Sequence, residues 1–346
     1  MDFLPEAAGP HDPLLTTVPR ARGSVRRTSN IDTDRPDGMR GNAVVDGRAR
    51  DLRTNPDGSA EVVAEATLQA TLSPTHQLLT LRTSPDFPVL GQLIGARVGP
   101  GFRSRLNEIV AAGDACEDGE PLYLLLDDLP GATLVSGYAL HSSGALDPDP
   151  SADAAPVRPA IDFDGRGDLC AGWANDATMM IHIRETGSIP VPMGPAAPRL
   201  EPETDPLSWH TMAPLSPHAV RRRRRLDLIP PADTNAAHQI DLHFRDSHVD
   251  AEGIETIMHE YTVTGTVNAA AGRIVDVAAR AQVLPWLECP GAVASAQRIA
   301  GMELSQLRPV VRKEFVGRST CTHLNDSLRS LADLAALYGE LEPATR

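Results

Sequence analysis

The sequence predicts an α+β protein made of two tandem copies of one module, each a small antiparallel sheet with helices packed on one face. Three observations lead there. Strand-like alternation comes before helical periodicity in both halves of the chain. The halves also match piece by piece: Thr67 to Leu72 with Thr262 to Val267, Leu78 to Leu81 with Ile274 to Val277, Pro88-Val89-Leu90 with Pro285-Trp286-Leu287, and Leu124 with Leu324. Finally, 346 residues exceed one average domain, so two cores are expected.

In chain order, residues 1–60 are rich in Arg, Asp, Pro and Gly and are expected to form an irregular lead-in, with one hairpin near 42–50. Residues 61–141 form the first module. Its alternation Glu65-Ala66-Thr67-Leu68-Gln69-Ala70-Thr71-Leu72 and the apolar Leu78-Leu79-Thr80-Leu81 predict two strands around a Ser73-Pro74 turn, stopped by Pro85 and Pro88. Helical spacing follows over 89–110, broken at Gly99-Pro100-Gly101, and an apolar run covers 122–140. No Gly-Lys-Ser or Gly-Lys-Thr follows Gly101, so that break is a turn and not a phosphate loop.

Residues 142–208 predict Pro-rich linkers carrying one short docked segment at Cys170-Ala171-Gly172-Trp173. The second module covers 209–341, with strands at 240–244 and 261–267, a return strand at 272–279 ended by Pro285, and helical stretches at 291–299 and 322–338.

A net charge of -14 and a pI near 5.2 argue against nucleic acid or an anionic membrane as partner, because phosphate binding needs a basic face. A small-molecule substrate is the expected partner. The four cysteines are too scattered for a disulfide framework, and residues 1–20 lack a basic start followed by an apolar core. With no window long and apolar enough for a membrane span, a cytoplasmic protein is expected.

Residues able to do chemistry lie in the second copy. His259, Asp276, Cys289, Cys321 and His323 have no equivalents in the first. Two chemistries suit them. His259, Cys289, Cys321 and His323 could hold a single divalent metal such as zinc, which activates water or polarises a carbonyl. Alternatively Cys321 acts as a thiolate at the start of a helix capped by Ser319 or Thr320, with His259 or His323 as base and Asp276 orienting. Buried, inert thiols are the bland alternative. The five arginines 221–225 could contact phosphate, as on a nucleotide or coenzyme A tail, but in so acidic a chain they read as a solvated strand or a charge-paired face. His238, His243 and His248, with Asp241, Asp246 and Asp250 among them, could suggest a metal cluster, but a spacing of five fits neither a strand face nor a helix face and they read as surface polar residues.

These residues resemble the bacterial family catalogued as domain of unknown function 2889. Its pattern has a His-Asp inside an apolar run, then Ile-x-Asp, a Cys after a proline, and Gly-Cys-Thr-His-Leu. Here the counterparts are His259-Glu260, Ile274-Val275-Asp276, Cys289 and Thr320-Cys321-Thr322-His323-Leu324. The family's Gly-Pro-Gly segment occurs in the first copy, as Leu93-Ile94-Gly95-Ala96-Arg97-Val98-Gly99-Pro100-Gly101-Phe102. The family implies no activity. At the level of fold, the order Gly272-Arg273-Ile274-Val275-Asp276, Cys289, Cys321 is also similar to iron-sulfur-cluster assembly scaffolds, which implies convergence of His259, Cys289 and Cys321 on one metal. The first scaffold Cys has no counterpart, since Ile257 or Met258 occupies its place.

The expected function is therefore a small-molecule enzyme of hydrolase or lyase type, using a Cys/His metal or thiolate site in the second module. A non-catalytic metal- or sulfur-handling module and a structural domain with buried thiols are the other readings.

Overall fold

Alternation of small apolar and polar residues along Ala66, Leu68, Ala70 and Leu72 puts one side of a strand into a core and leaves Thr67 and Gln69 outside, and this strand is one of eight. In a computed structural model, which describes residues 4–113, 115–145, 167–231 and 237–341, the strands are β1 (Ser24–Asp34), β2 (Ala43–Thr54), β3 (Ala60–Leu72), β4 (Leu78–Ser84), β5 (Val220–Ile229), β6 (His238–Val249), β7 (Glu255–Asn268) and β8 (Arg273–Val283). The helices are α1 (Phe102–Ala111), α2 (Pro121–Ser142), α3 (Thr178–Thr186), α4 (Leu304–Glu314), α5 (Thr322–Ser330) and α6 (Leu334–Leu341). The fold is α+β.

The two expected small sheets are one sheet. Its order is β4-β3-β2-β1-β5-β6-β7-β8, antiparallel throughout, and the halves meet where β1 pairs with β5, Thr28 opposite Arg225 and Asp32 opposite Arg221. Outward from that seam each half repeats the same order: four strands, a 3-10 turn (Pro88–Leu93 or Cys289–Ile299), then two helices, α1 and α2 or α4 and α5.

Residues 1–60 are not an irregular lead-in, because they supply β1 and β2. The reason is chemical. These strands are buried but polar, so they lack the apolar alternation that marks a half-buried strand. Burial is offset by pairing, since a buried guanidinium needs a carboxylate and hydrogen-bond acceptors. Arg27 lies 2.6 Å from Asp51 on β2 and 2.9 Å from Asp333, while on the opposite face Arg26 holds Asp227 at 2.6 Å. Of the two readings of arginines 221–225, the charge-paired one holds and the solvated one does not, since all five are buried and each pairs with a carboxylate. Successive residues of a strand point to opposite faces, so Arg222 and Arg224 meet the helices whereas Arg221, Arg223 and Arg225 face the other way.

On the helical side, each half buries its own apolar cluster. One gathers Leu68, Phe102, Leu125 and Leu129, and the other Phe244, Tyr261, Val263, Leu324 and Leu328. Each such side chain contributes about 1.5–3 kcal/mol when fully buried. Between the clusters runs an ionic seam in which Arg224 pairs with Asp128 of α2, Arg222 with Asp326 of α5 at 2.7 Å, and Arg329 with Asp127 at 2.9 Å.

The other face is covered by coil. The proline-dense stretch within 185–207 is no free linker, for it and the residues after it lie across the central strands. Their backbone carbonyls are satisfied by arginines: Pro198 by Arg245, Leu207 by Arg50, and Ala213 by Arg221. Of the expected 142–208 linker region, residues 146–166 lie outside the described residues. The docked segment is a 3-10 turn, Ala171–Trp173, tied down by the Ala171 N–H donating to the Thr320 carbonyl.

Candidate metal centre

Three side chains from three elements converge on the helical face of the second half. Asp246 sits on β6 directly opposite Arg222 on β5 and opposite His259 on β7. The register of β6 and β7 shifts immediately after that pair, a bulge of the kind that re-aims a side chain. His323 arrives from the first turn of α5, whose N-cap residue is Cys321 itself rather than Ser319 or Thr320.

The His259 and His323 rings stack with centroids 3.6 Å apart and planes inclined by 19°. His259 Nδ1 lies 3.9 Å, and His323 Nε2 3.8 Å, from Asp246 Oδ2. These separations are too long for hydrogen bonds. His259 Nδ1 is buried without a partner among the described residues, and one ligand atom from each of the three residues lies within 4.8 Å of the other two. For bonds of about 2.0–2.1 Å around one ion, tetrahedral donor atoms stand roughly 3.4 Å apart, so a small inward movement closes the set.

Electrostatics keep the donors in their binding forms. Burial, then the Arg222 guanidinium, pushes the His323 imidazole down to about 3, and burial followed by His323 itself lowers His259 well below the usual histidine range. Both rings are therefore neutral at physiological pH, as metal ligation requires. Arg222 fixes Asp246 through Nε at 2.9 Å and Nη2 at 3.0 Å, and is itself balanced by Asp326.

Of the residues expected at a site, His259 and His323 are brought together. Cys321 is close but on the far side of the ring, its Sγ lying 3.7 Å from His323 Nδ1. Cys289 is outside the converging ligand atoms; it packs against Gly172, where an added Cβ would come within 2.7 Å of its sulfur. Asp276 is elsewhere, exposed on β8 and accepting a hydrogen bond from Thr266. Asp246 was missed, because it sits in the His/Asp run that reads as surface. On β6, His243, Asp246 and His248 of that run are buried, and Asp246 follows Leu242 and Phe244 along one strand face.

The thiols are poor nucleophiles. Burial raises Cys321, and raises Cys289 further with Cys321 adding to it. Cys170 is pushed up to about 12, again first by burial.

Residues 220–337 match the family model described as protein of unknown function (DUF2889). The matched segment runs from the arginine strand β5 into α6 and contains every residue of the convergent set. The likeness to iron-sulfur-cluster assembly scaffolds finds no support. No curated protein and no solved structure matches the chain. No helix among the described residues is long and apolar enough to cross a membrane.

Proposed function

We propose that Asp246, His259 and His323 bind one divalent metal ion, such as zinc, and that this centre serves hydrolase- or lyase-type chemistry on a small molecule. The observation that carries this reading is the buried, unpartnered His259 Nδ1 facing Asp246 and His323 at distances that suit a shared ion but not hydrogen bonds. A proton on His323 Nδ1 is directed towards Cys321 Sγ or, at 3.4 Å, Thr322 Oγ1, which leaves the Nε2 lone pair towards Asp246. Cys321 thus orients a ligand, as outer partners of metal-bound histidines do.

Three protein ligands leave coordination positions open, which is the mark of a catalytic rather than a purely structural centre. His259 and His323 retain 16% and 13% side-chain exposure, so the rings reach the surface although His259 Nδ1 itself is buried. A metal bound there would supply a Lewis acid and an activated water.

Elemental analysis of purified protein tests the assignment. One divalent ion per chain is expected, lost in His259→Ala and His323→Ala and kept in Cys321→Ser. Protein that takes up no stoichiometric zinc, cobalt or manganese on titration would overturn it. A thiolate-centred reading instead needs Cys321 to ionise, and its burial opposes that.

A further inference from the structure

The face of the sheet away from the helices carries a cavity of about 720 Å³ between the coil over 197–214 and strands β5 and β6. Such a volume lies within the roughly 300–1,000 Å³ usual for small-ligand pockets. Arg221, Arg223 and Arg245 line it together with Trp209 and the carboxylates Glu201, Glu203 and Glu255, and prolines of the coil supply apolar wall.

The three guanidinium groups differ in how well they are satisfied. Arg221 grips Asp32 through two nitrogens and donates to the Ala213 carbonyl. Arg245 donates to Glu260 and to the carbonyls of Pro198 and Leu14. Arg223 has one carboxylate, Glu201, at 3.1 Å from Nη1, and its Nε is buried with no acceptor among the described residues. Its side chain is only 7% exposed and its guanidinium stands 5.3 Å from the Trp209 ring, so it is held in place. Glu201, by contrast, is 25% exposed and belongs to the coil. His210 offers no relief, as its two nitrogens are committed to Thr28 and Asn30. Burial lowers the Arg223 pKa, opposed by Glu201 and Glu255 and reinforced by Arg221 and Arg245.

A fixed guanidinium with an idle donor, partnered by a part-exposed coil carboxylate whose only other cation among the described residues is the exposed Arg199 at 3.9 Å, is suited to exchange that carboxylate for a ligand's. We propose that this cavity binds a small organic oxyanion whose carboxylate or phosphate replaces Glu201 on Arg223 while its apolar body rests against the proline-lined wall. The site lies on the opposite face of the sheet from the metal centre and does not depend on it.

Calorimetric titration of the full chain with benzoate and with inorganic phosphate tests this. Saturable binding of one of them is expected, about tenfold weaker in Arg223→Gln and several-fold tighter in Glu201→Gln, which removes the internal competitor. Benzoate binding alone identifies a carboxylate site, and phosphate binding alone a phosphate site. Because Glu201→Gln changes a coil residue and should improve binding, a loss of fold cannot imitate the expected result. No saturable binding of either anion up to about 10 mM, or binding indifferent to both substitutions, overturns the proposal.

Discussion

His259 and His323 stack face to face at 3.6 Å although one comes from β7 and the other from the first turn of α5. Two imidazoles in that arrangement, beside an arginine, can coexist only uncharged. Burial and like-charge repulsion both act against protonation.

Other buried histidines set the response of stability to pH. Burial lowers His243 to about 4 and His210 to about 3, against an unfolded value of 6.5. Between those limits the unfolded chain binds more protons, so their contribution is complete above about pH 6.5 and is lost as pH falls towards 4. Asp118 and Asp241, raised by burial, run the other way near pH 4 and offset only part of this. The urea midpoint should fall between pH 6.5 and 5.0, and His210→Gln should shrink the difference. Equal midpoints at the two pH values would contradict the assignment.

The cysteines should be silent in the folded protein. All four are free, Cys116 and Cys170 are each pushed up to about 12, and burial raises Cys289 and Cys321 as well. At pH 8 a thiol-specific disulfide reagent should label none of them within minutes, and all four after unfolding. Rapid native labelling of Cys321 would revive a thiolate mechanism.

Breaking the ionic seam should cost far more than replacing it. Asp128→Ala leaves Arg224 buried without its carboxylate partner and should destabilise by about 3–5 kcal/mol. The double change Arg224→Met with Asp128→Leu should recover most of that loss, since well-packed apolar residues can substitute for a buried pair. Urea unfolding of the three proteins measures both, and a double variant no better than Asp128→Ala would refute the argument.

Gly131 couples the first half to the site in the second. It lies in α2, and a Cβ there would collide with Arg222 Nη1 and Asp326 Oδ2. Gly131→Ala should therefore push Arg222 off Asp326, destabilise the protein by about 1–3 kcal/mol and weaken zinc retention through Asp246. Zinc retention equal to the parent's, at lower stability, would show that Arg222 does not position Asp246.

How much of this could be read from the residues depended on whether burial was apolar. β3 and β7 were legible because Leu68, Leu72, Val263 and Val267 alternate with polar neighbours, and His259 and His323 stood out because their segment resembles a family pattern. β1 was not legible, and β2 and β5 were legible only as a short hairpin near 42–50 and a strand of arginines, because Arg27, Asp51 and Arg222 are buried through partners distant in sequence. Asp246 was hidden by the same circumstance, since only the cross-strand register opposite Arg222 and His259 gives it a role.

The pairing of β1 with β5 also fixes what the first half is for. It holds no member of the convergent set, yet Asp32 receives Arg221, Asp128 receives Arg224, and Gly131 makes space for Arg222. The first half is thus the mould in which the second half's arginines set. The first half cannot be cut away without leaving the five arginines of β5 on a bare strand edge.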